Sequence, residues 1–243
     1  MLRNLFSALV FLTVIPAPAH DSFDARAAAP FFPVIGLLIG FFVCLIDTVG
    51  QLLWPPPVIA ILDVIALAIV TGALHLDGLA DTADGLYGNW PPEKALAIMK
   101  DSRVGAMGMV TAILCLAAKT GGIYALHDIR ALSLILVPAY ARASVLIGMR
   151  FLPYGRPQGG TGHAFFQAPL KPKDFWAVFL LALGSITIGT KALFLNLGFA
   201  FLVTAMIWFY RKRVGCVTGD MLGAMVEVME TGLFLILSTG IQL

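Results

Sequence analysis

The chain has 243 residues, of which 59% are hydrophobic and only 12% are charged, and its mean hydropathy is +0.91. Soluble domains carry about a quarter charged residues, so this composition argues against a soluble enzyme and predicts an all-α integral membrane protein, folded as a single polytopic domain over 1–243. The net charge of +2 does not indicate nucleic-acid binding, and the three cysteines have no metal-like spacing.

The predicted elements begin with a short apolar stretch at residues 1–16. We interpret it as a helix that lies at the lipid surface or enters the membrane partway. Longer apolar segments follow, each close to the roughly 20 residues that a membrane-spanning helix needs. We predict seven spans, at about 30–54, 58–75, 105–126, 131–152, 175–190, 192–210 and 219–241.

The positive charges predict the orientation of these spans. Ten Lys and Arg residues fall in the loops at about 76–104, 150–174 and 211–218, whereas the opposite ends hold only Arg130 and Lys191. Because cytoplasmic loops carry the excess of Lys and Arg, we predict a cell (plasma or inner) membrane protein with a cytoplasmic N-terminus. The polar motifs lie in the same loops, so we expect the active site at the cytoplasmic face.

The segment HLDGLADTADG at 75–85 concentrates three aspartates after an apolar run. In a helix, Asp77, Asp81 and Asp84 project from one face within about 60°. Their mutual repulsion should raise their pKa values unless a cation joins them. A solvated helix face is the ordinary alternative, but carboxylates near lipid tend to be functional. Hard oxygen ligands without nearby Cys favour Mg²⁺, with Mn²⁺ as a substitute.

Other residues of this segment suggest contacts with a substrate. His75 lies on roughly the opposite helical face from Asp77, so a hydrogen-bonding role at the helix end is more ordinary than metal ligation. Gly78 and Gly85 lack side chains and would let a phosphate ester approach the backbone closely.

A second acidic segment, TGDMLGAMVEVMETG, begins the last predicted span. Asp220 and Glu227 are seven residues apart and share a helical face, and Glu230 lies beside Glu227. Carboxylates this deep in an apolar run require a metal, a cationic partner or a polar cavity. Arg142, inside another predicted span, is a candidate partner, and a simple buried ion pair is the structural alternative.

Cationic side chains near the acidic segments could bind phosphate oxygens. They are Lys100 and Arg103 in MKDSRVGAMG and Arg150 and Arg156 around LPYGRPQGGTG. Arg103 is the strongest candidate because two glycines follow it. The alternative explanation for all four is that cytoplasmic loops are enriched in Lys and Arg whether or not these residues bind a ligand. The run GGTGH lacks the ending of a P-loop, so nucleotide hydrolysis is not indicated.

Four motifs together resemble the cobalamin synthase family, adenosylcobinamide-GDP ribazoletransferase. They are TGALHLDGLADTADGL at 71–86, MKDSRVGAMG at 99–108, PFFPVIGLLIG at 30–40 and VTGDMLGAMVEVME at 217–230, and the resemblance extends over essentially the whole chain. It implies a Mg²⁺-dependent membrane enzyme at a late step of vitamin B12 assembly. Such an enzyme joins α-ribazole, or its 5′-phosphate, to adenosylcobinamide-GDP and releases GMP.

The resemblance implies roles for individual residues. The family's acidic motif maps onto Asp77, Asp81 and Asp84 as metal ligands, and its TGD motif maps onto Asp220. We expect Asp84 or Asp220 to accept the hydroxyl proton and Arg103 to supply positive charge to the phosphates. The remaining residues expected to bind substrate are His75, Lys100, Arg150, Arg156 and Glu227.

Three other functions remain open at this stage. A CDP-alcohol phosphotransferase and an aspartate-rich prenyltransferase also combine Mg²⁺, a diphosphate and spaced carboxylates. However, Ala80 is followed by aspartate where the first would carry arginine, and the chain lacks the second aspartate-rich motif that the other would carry. An ion-coupled transporter would use Glu227 and Glu230 as an ion path. The sequence also leaves open whether the chain forms a homo-oligomer.

Overall fold

The computed structural model describes residues 1–17, 24–156, 159 and 162–240. Within these ranges the protein is helical and contains no β-strand, which confirms the predicted all-α class. Short 3₁₀ turns occur at Ala29–Phe31, His163–Phe166, Pro172–Phe175 and Ser185–Ile188. The α-helices are α1 (Leu2–Leu12), α2 (Ala25–Ala28), α3 (Phe32–Gly50), α4 (Pro56–Val70), α5 (Leu74–Tyr87), α6 (Pro92–Ile98), α7 (Ala106–Tyr124), α8 (Arg130–Phe151), α9 (Trp176–Gly184), α10 (Lys191–Arg213) and α11 (Gly219–Leu237).

Several helices match the length and composition of membrane spans. In the described chain, four segments qualify: Ala25–Gly50, Ala106–Tyr124, Arg130–Phe151 and Lys191–Arg213. The bent pair α4 and α5 adds a fifth if the two helices form one broken span. These are fewer than the seven predicted. The segment predicted at 175–190 contains an α-helix of only 9 residues, and α11 carries three carboxylates along its 19 residues.

A sharp bend of 89° separates α4 from α5. Gly72 and Ala73 adopt left-handed backbone conformations there, with φ of 59° and 56°. Glycine does so freely, whereas alanine incurs a steric penalty. The amides of Gly72 and Ala73 donate to the carbonyls of Ile69 and Ala68 at 3.0 and 2.8 Å, which closes α4. The predicted span at 58–75 therefore ends early, and α5 turns its aspartates away from the axis of α4.

Helices α3 and α8 approach each other at two glycines. A Cβ added to Gly36 would lie 2.5 Å from Ala139 Cα, and one added to Gly40 would lie 2.4 Å from the Leu134 carbonyl oxygen. Small residues permit this backbone contact, which is a common way to associate apolar helices without a hydrophobic driving force. At one end of the pair, Arg130 donates to Asp47 and Asp63 at 2.8 and 2.7 Å and so joins α8 to α3 and α4.

Helix α11 packs against α5, α7, α8 and α10 and carries a buried ion-pair network. Lys119 Nζ of α7 lies 2.6 Å from both Glu227 Oε2 and Glu230 Oε2. Arg142 of α8 pairs with the other oxygen of Glu230. Arg142 is thus confirmed as a cationic partner, whereas Lys119 was not anticipated. Two cations balance two carboxylates, which removes most of the penalty of burying each charge alone.

A helix forms in the apolar N-terminal stretch, and it packs against the rest of the protein. Leu12 is buried, and the Phe11 ring stacks on Phe32 of α3 at 5.8 Å with an interplanar angle of 8°. The Val14 amide donates to the Val70 carbonyl at 2.9 Å, next to the bend between α4 and α5. Helix α1 therefore lies beside the acidic segment.

Candidate functional site

The three aspartates of α5 have different surroundings. Asp77 is exposed, and Asp81 and Asp84 are half-buried. The carboxylates of Asp77 and Asp81 form no hydrogen bond or ion pair with any residue that the structure describes, whereas both carboxylate oxygens of Asp84 are hydrogen-bonded. Of the three carboxylates predicted to share one face, two are therefore without a partner among the described residues, and the third, that of Asp84, is bound within the protein.

Asp84 caps the N-terminus of α7. Its Oδ2 accepts from the Gly105 amide at 2.7 Å and its Oδ1 accepts from the Gly108 amide at 2.8 Å. Free amides at the start of a helix favour such a carboxylate. A Cβ on Gly105 or Gly108 would lie 2.3 or 2.4 Å from this carboxylate, so both glycines are needed for the contact. The capping role differs from the metal and proton roles expected of Asp84.

Asp220 is held beside α5 by a local pairing of two loops. Gly155 donates to the Val217 carbonyl and Val217 donates to the Pro153 carbonyl, both at 2.9 Å. This pairing brings Arg156 to Asp220, with 2.8 Å between guanidinium nitrogen and carboxylate oxygen. Arg156, predicted to bind substrate, therefore lies at the site with one carboxylate as its partner.

Gly78 and Gly85 do not face a ligand, contrary to expectation. A Cβ on Gly78 would lie 2.7 Å from the Asp220 carbonyl oxygen, and one on Gly85 would lie 2.4 Å from the Met99 side chain. Helices α11 and α6 occupy the space that the sequence suggested for a phosphate ester. The close contact at Gly78 brings Asp77 and Asp220 to the same pocket.

This pocket contains about 620 Å³ of empty space, including the part open to solvent. Its polar side chains are His75, Asp77 and Asp220, and the backbone of three glycines completes the polar lining. The apolar lining comes from α1, α3, α5, α8, α11 and a 3₁₀ turn: Phe11, Leu12, Phe32, Leu74, Val145, Met149, Phe165 and Leu222.

His75 is only 4% exposed and lines the pocket. Its Nδ1 atom is buried without a hydrogen-bond partner among the described residues. A buried polar atom left unpaired is costly, so an unpaired nitrogen in a pocket indicates a contact with a ligand. The structure thus places His75 in the pocket lining, and its substrate-binding role stays a prediction.

The pocket lining does not include the other seven predicted site residues, of which Asp81, Asp84 and Arg156 are described above. Arg103 is 87% exposed and binds its neighbour Asp101 at 2.5 Å, which holds the Asp101 pKa down at about 2. Lys100 and Arg150 are also exposed, and the Arg150 guanidinium lies 5.7 Å from the Phe151 ring centre. Glu227 is buried against Lys119 and does not reach the pocket, because the ion-pair network uses its carboxylate.

The carboxylates near the pocket also decide whether a metal ion could be held there. Among the residues that the structure describes, no three His, Cys, Asp or Glu side chains are grouped to hold a metal ion by themselves. Mg²⁺ typically takes one or two protein carboxylates and completes its shell with water and substrate phosphates. The unpaired carboxylates of Asp77 and Asp81 fit that requirement, and those of Asp84 and Asp220 are already engaged.

Comparison with known proteins identifies close relatives over nearly the full chain. The family model described as cobalamin-5-phosphate synthase matches residues 4–238. An adenosylcobinamide-GDP ribazoletransferase of Brevibacillus brevis is 37% identical over 242 residues, covering 95% of each chain. The enzyme of the same name from Geotalea daltonii is 38% identical and covers 95% of this chain and 94% of its own. No solved structure matches the chain.

Proposed function

Because the chain belongs to the cobalamin-5-phosphate synthase family, we propose that it joins α-ribazole, or its 5′-phosphate, to adenosylcobinamide-GDP and releases GMP. A ribose hydroxyl oxygen forms a bond to the phosphorus attached to the cobinamide. The bond from that phosphorus to the GMP oxygen breaks, and the hydroxyl proton is lost. The products are adenosylcobalamin, or its 5′-phosphate, and GMP.

The observation that carries this proposal is two carboxylates of α5 without a partner among the described residues: Asp77, which lines the pocket, and Asp81, one helical turn further along. Asp77 and Asp81 are the residues that would hold Mg²⁺, with Mn²⁺ as a substitute. When bound, the ion supplies positive charge to pyrophosphate oxygens and to the departing GMP. This assignment refines the three-aspartate set, because Asp84 is hydrogen-bonded to the start of α7.

Asp220 is the proposed acceptor of the hydroxyl proton. It lines the pocket together with Asp77, and its pairing with Arg156 fixes the position of its carboxylate. Arg156 also adds positive charge close to the phosphates. The contact at Gly78 holds α5 against α11 and so keeps Asp77 close to Asp220. In this arrangement the acceptor hydroxyl at Asp220 is aligned with the phosphates at Asp77.

The exposed cations Lys100, Arg103 and Arg150 are proposed to contact the donor outside the pocket. Adenosylcobinamide-GDP is larger than the pocket, so much of it must lie over the surrounding surface. Arg103 lies just before Gly105, which Asp84 ties to α5, and it is not part of the buried ion-pair network. Its guanidinium would exchange Asp101 for a phosphate or corrin amide oxygen.

We further propose that the site faces the cytoplasm of a plasma or inner membrane. Arg211 donates to the Phe151 carbonyl at 2.9 Å, so the end of α10 lies beside the end of α8. Lys191, at the start of α10, contacts the Thr239 carbonyl just after α11. The end of α8 and the start of α10 are then on opposite faces of the bilayer, so the chain between Phe151 and Lys191 must cross it once. This supports a short crossing by α9 and seven crossings in total.

The test is an assay of purified, detergent-solubilised protein with adenosylcobinamide-GDP, α-ribazole and Mg²⁺. We expect GMP to form and to require the divalent ion. Asp81→Asn should reduce the rate by about 100-fold or more and change the Mg²⁺ dependence. Asp128→Asn is the matched control, because Asp128 is an exposed aspartate on the connection between α7 and α8. Absence of GMP with both Mg²⁺ and Mn²⁺ would overturn the proposal.

Assays of the same purified protein with other substrates separate the alternative functions. A CDP-alcohol phosphotransferase would release CMP from a CDP-alcohol, and an aspartate-rich prenyltransferase would release pyrophosphate from a prenyl diphosphate. An ion-coupled transporter would move ions in vesicles without chemical turnover. Against the last, Glu227 and Glu230 are neutralised by Lys119 and Arg142 and are not free to carry an ion.

A further inference from the structure

The apolar side of the pocket contains a cluster of three phenylalanine rings, which we call the aromatic wall: Phe11, Phe32 and Phe165. Ring centres of Phe11 and Phe165 lie 4.7 Å apart with a tilt of 55°. Phe32 and Phe165 are edge-on at 5.5 Å. The three rings come from α1, α3 and the 3₁₀ turn His163–Phe166, so only the folded chain assembles them. All three line the pocket that also contains Asp77 and Asp220.

The two proposed substrates make different demands on such a wall. Guanine carries several hydrogen-bond donors and acceptors on its edge, and burying them against phenylalanine, valine and leucine would leave them unsatisfied. The corrin carries amide side chains and is too large for the pocket. Ribazole instead carries a benzimidazole, a flat apolar base that stacks well on aromatic rings. The acceptor is therefore the substrate whose base matches the wall.

The polar side chains of the pocket agree with this choice. A carboxylate could accept from guanine, but Asp220 is paired with Arg156 and Asp77 is the proposed metal ligand. The remaining polar group is His75, whose buried Nδ1 has no partner among the described residues. A benzimidazole nucleoside has one ring nitrogen that can accept a hydrogen bond. A neutral imidazole has one N–H to donate, so the numbers of donors and acceptors match.

We propose that the aromatic wall, with His75, is the subsite for the benzimidazole base of the acceptor. Bound there, the base points its ribose toward Asp77 and Asp220, where the hydroxyl meets the pyrophosphate. The assignment gives the N-terminal helix α1 a role in substrate selection, because Phe11 belongs to it. It rests on the proposed function for the identity of the acceptor.

The experiment measures binding and turnover separately. Isothermal titration of the purified protein with α-ribazole in the absence of donor reports binding, whether or not GMP is later released. Phe165→Leu should weaken this binding and raise the KM for α-ribazole by at least about tenfold. The KM for adenosylcobinamide-GDP should stay within about twofold of wild type. Phe179→Leu is the matched control, because Phe179 is 66% exposed on α9.

A second variant tests the wall without removing a packed ring. Val145→Phe adds volume to the pocket lining and should exclude α-ribazole while leaving donor affinity unchanged. Equal effects on both substrates, or no effect from either variant, would overturn the assignment. Guanosine 5′-monophosphate that competes with α-ribazole, and whose binding the wall variants weaken, would also overturn it.

The contribution of His75 has its own readout. Replacing the free ring nitrogen of α-ribazole by C–H gives the indole nucleoside, which cannot accept a hydrogen bond. Wild-type protein should bind α-ribazole about tenfold more tightly than this analogue. His75→Phe should remove that preference while retaining the aromatic stacking. An unchanged preference in the variant would contradict the pairing of His75 with the base.

Discussion

The Oδ2 atom of Asp84 accepts a hydrogen bond of 2.7 Å from the backbone amide of Gly105, which lies 21 residues further along the chain. A second bond, from the amide of Gly108 to Oδ1, completes the cap. Asp84, the last aspartate of HLDGLADTADG, thereby positions the start of α7, which lies within the next motif, MKDSRVGAMG. The two motifs act together because one supplies a carboxylate and the other supplies free amides.

The cap predicts that Asp84 acts through structure. Asp84→Asn replaces one accepting oxygen by an NH₂ group that faces an amide donor, so it should destabilise the protein by about 1 to 2 kcal/mol. Hydrogen exchange of the amides at 105 and 108 should accelerate, and thermal unfolding in detergent should shift downward. Asp81→Asn is the control, since the Asp81 carboxylate forms no hydrogen bond with a described residue. Equal unfolding temperatures for both variants would contradict the capping role.

Gly78 should tolerate no side chain. A Cβ there would lie 2.7 Å from the Asp220 carbonyl oxygen, so Gly78→Ala must separate α5 from α11. Overpacking of this kind typically costs about 1 to 3 kcal/mol, and the shift would also separate Asp77 from Asp220. Activity should fall together with the unfolding temperature.

The control for this variant is Gly121→Ala in α7. Nothing lies within 4 Å of a Cβ at Gly121, and alanine favours a helix by up to about 1 kcal/mol over glycine. Gly121→Ala should therefore be neutral or stabilising. If Gly78→Ala behaved like Gly121→Ala, the close contact between the helices would have to be rejected.

The buried ion-pair network should depend on Lys119. Lys119→Met leaves Glu227 without its cation and Glu230 with only Arg142, which should cost about 3 to 5 kcal/mol. Removing the orphaned charge in the double variant Lys119→Met/Glu227→Gln should recover much of the loss. Chemical denaturation in detergent measures both. No recovery in the double variant would show that packing, and not charge, explains the effect.

Arg103 should affect the donor and not the fold. Its side chain is 87% exposed, so Arg103→Ala should raise the KM for adenosylcobinamide-GDP several-fold without changing the unfolding temperature. The Asp101 pKa is depressed to about 2 by hydrogen bonds from Arg103. Because the Asp101 pKa is lower in the folded protein than in the unfolded chain, the ion pair is fully formed at any pH above the Asp101 pKa of the unfolded chain. The pair is lost only as the pH falls through about 2.

This pair should therefore add no pH dependence to the activity near neutrality. The pH profiles of wild type and Asp101→Asn should have the same shape between about pH 6 and pH 9. A change of shape in that range would mean that Arg103 interacts with another titrating group when substrate is bound.

Much of the architecture follows from local composition. Apolar helices, a short N-terminal helix and an acidic segment after an apolar run are properties of contiguous residues, so the sequence predicts them directly. The partnership of Glu230 with Arg142 was also predictable, because buried charges require compensation. The second partner, Lys119, could have been found by the same reasoning applied to every charge within a predicted span.

The sequence by itself determined the all-helical class, the family and the segments that carry the chemistry, because these depend on residue type and spacing along the chain. Only the tertiary structure decided the roles within those segments. Whether an aspartate caps a helix, pairs with an arginine or stays unpaired depends on residues distant in sequence, such as Gly105 for Asp84 and Arg156 for Asp220. The aromatic wall likewise exists only where three separate elements meet, since no local pattern relates Phe11, Phe32 and Phe165.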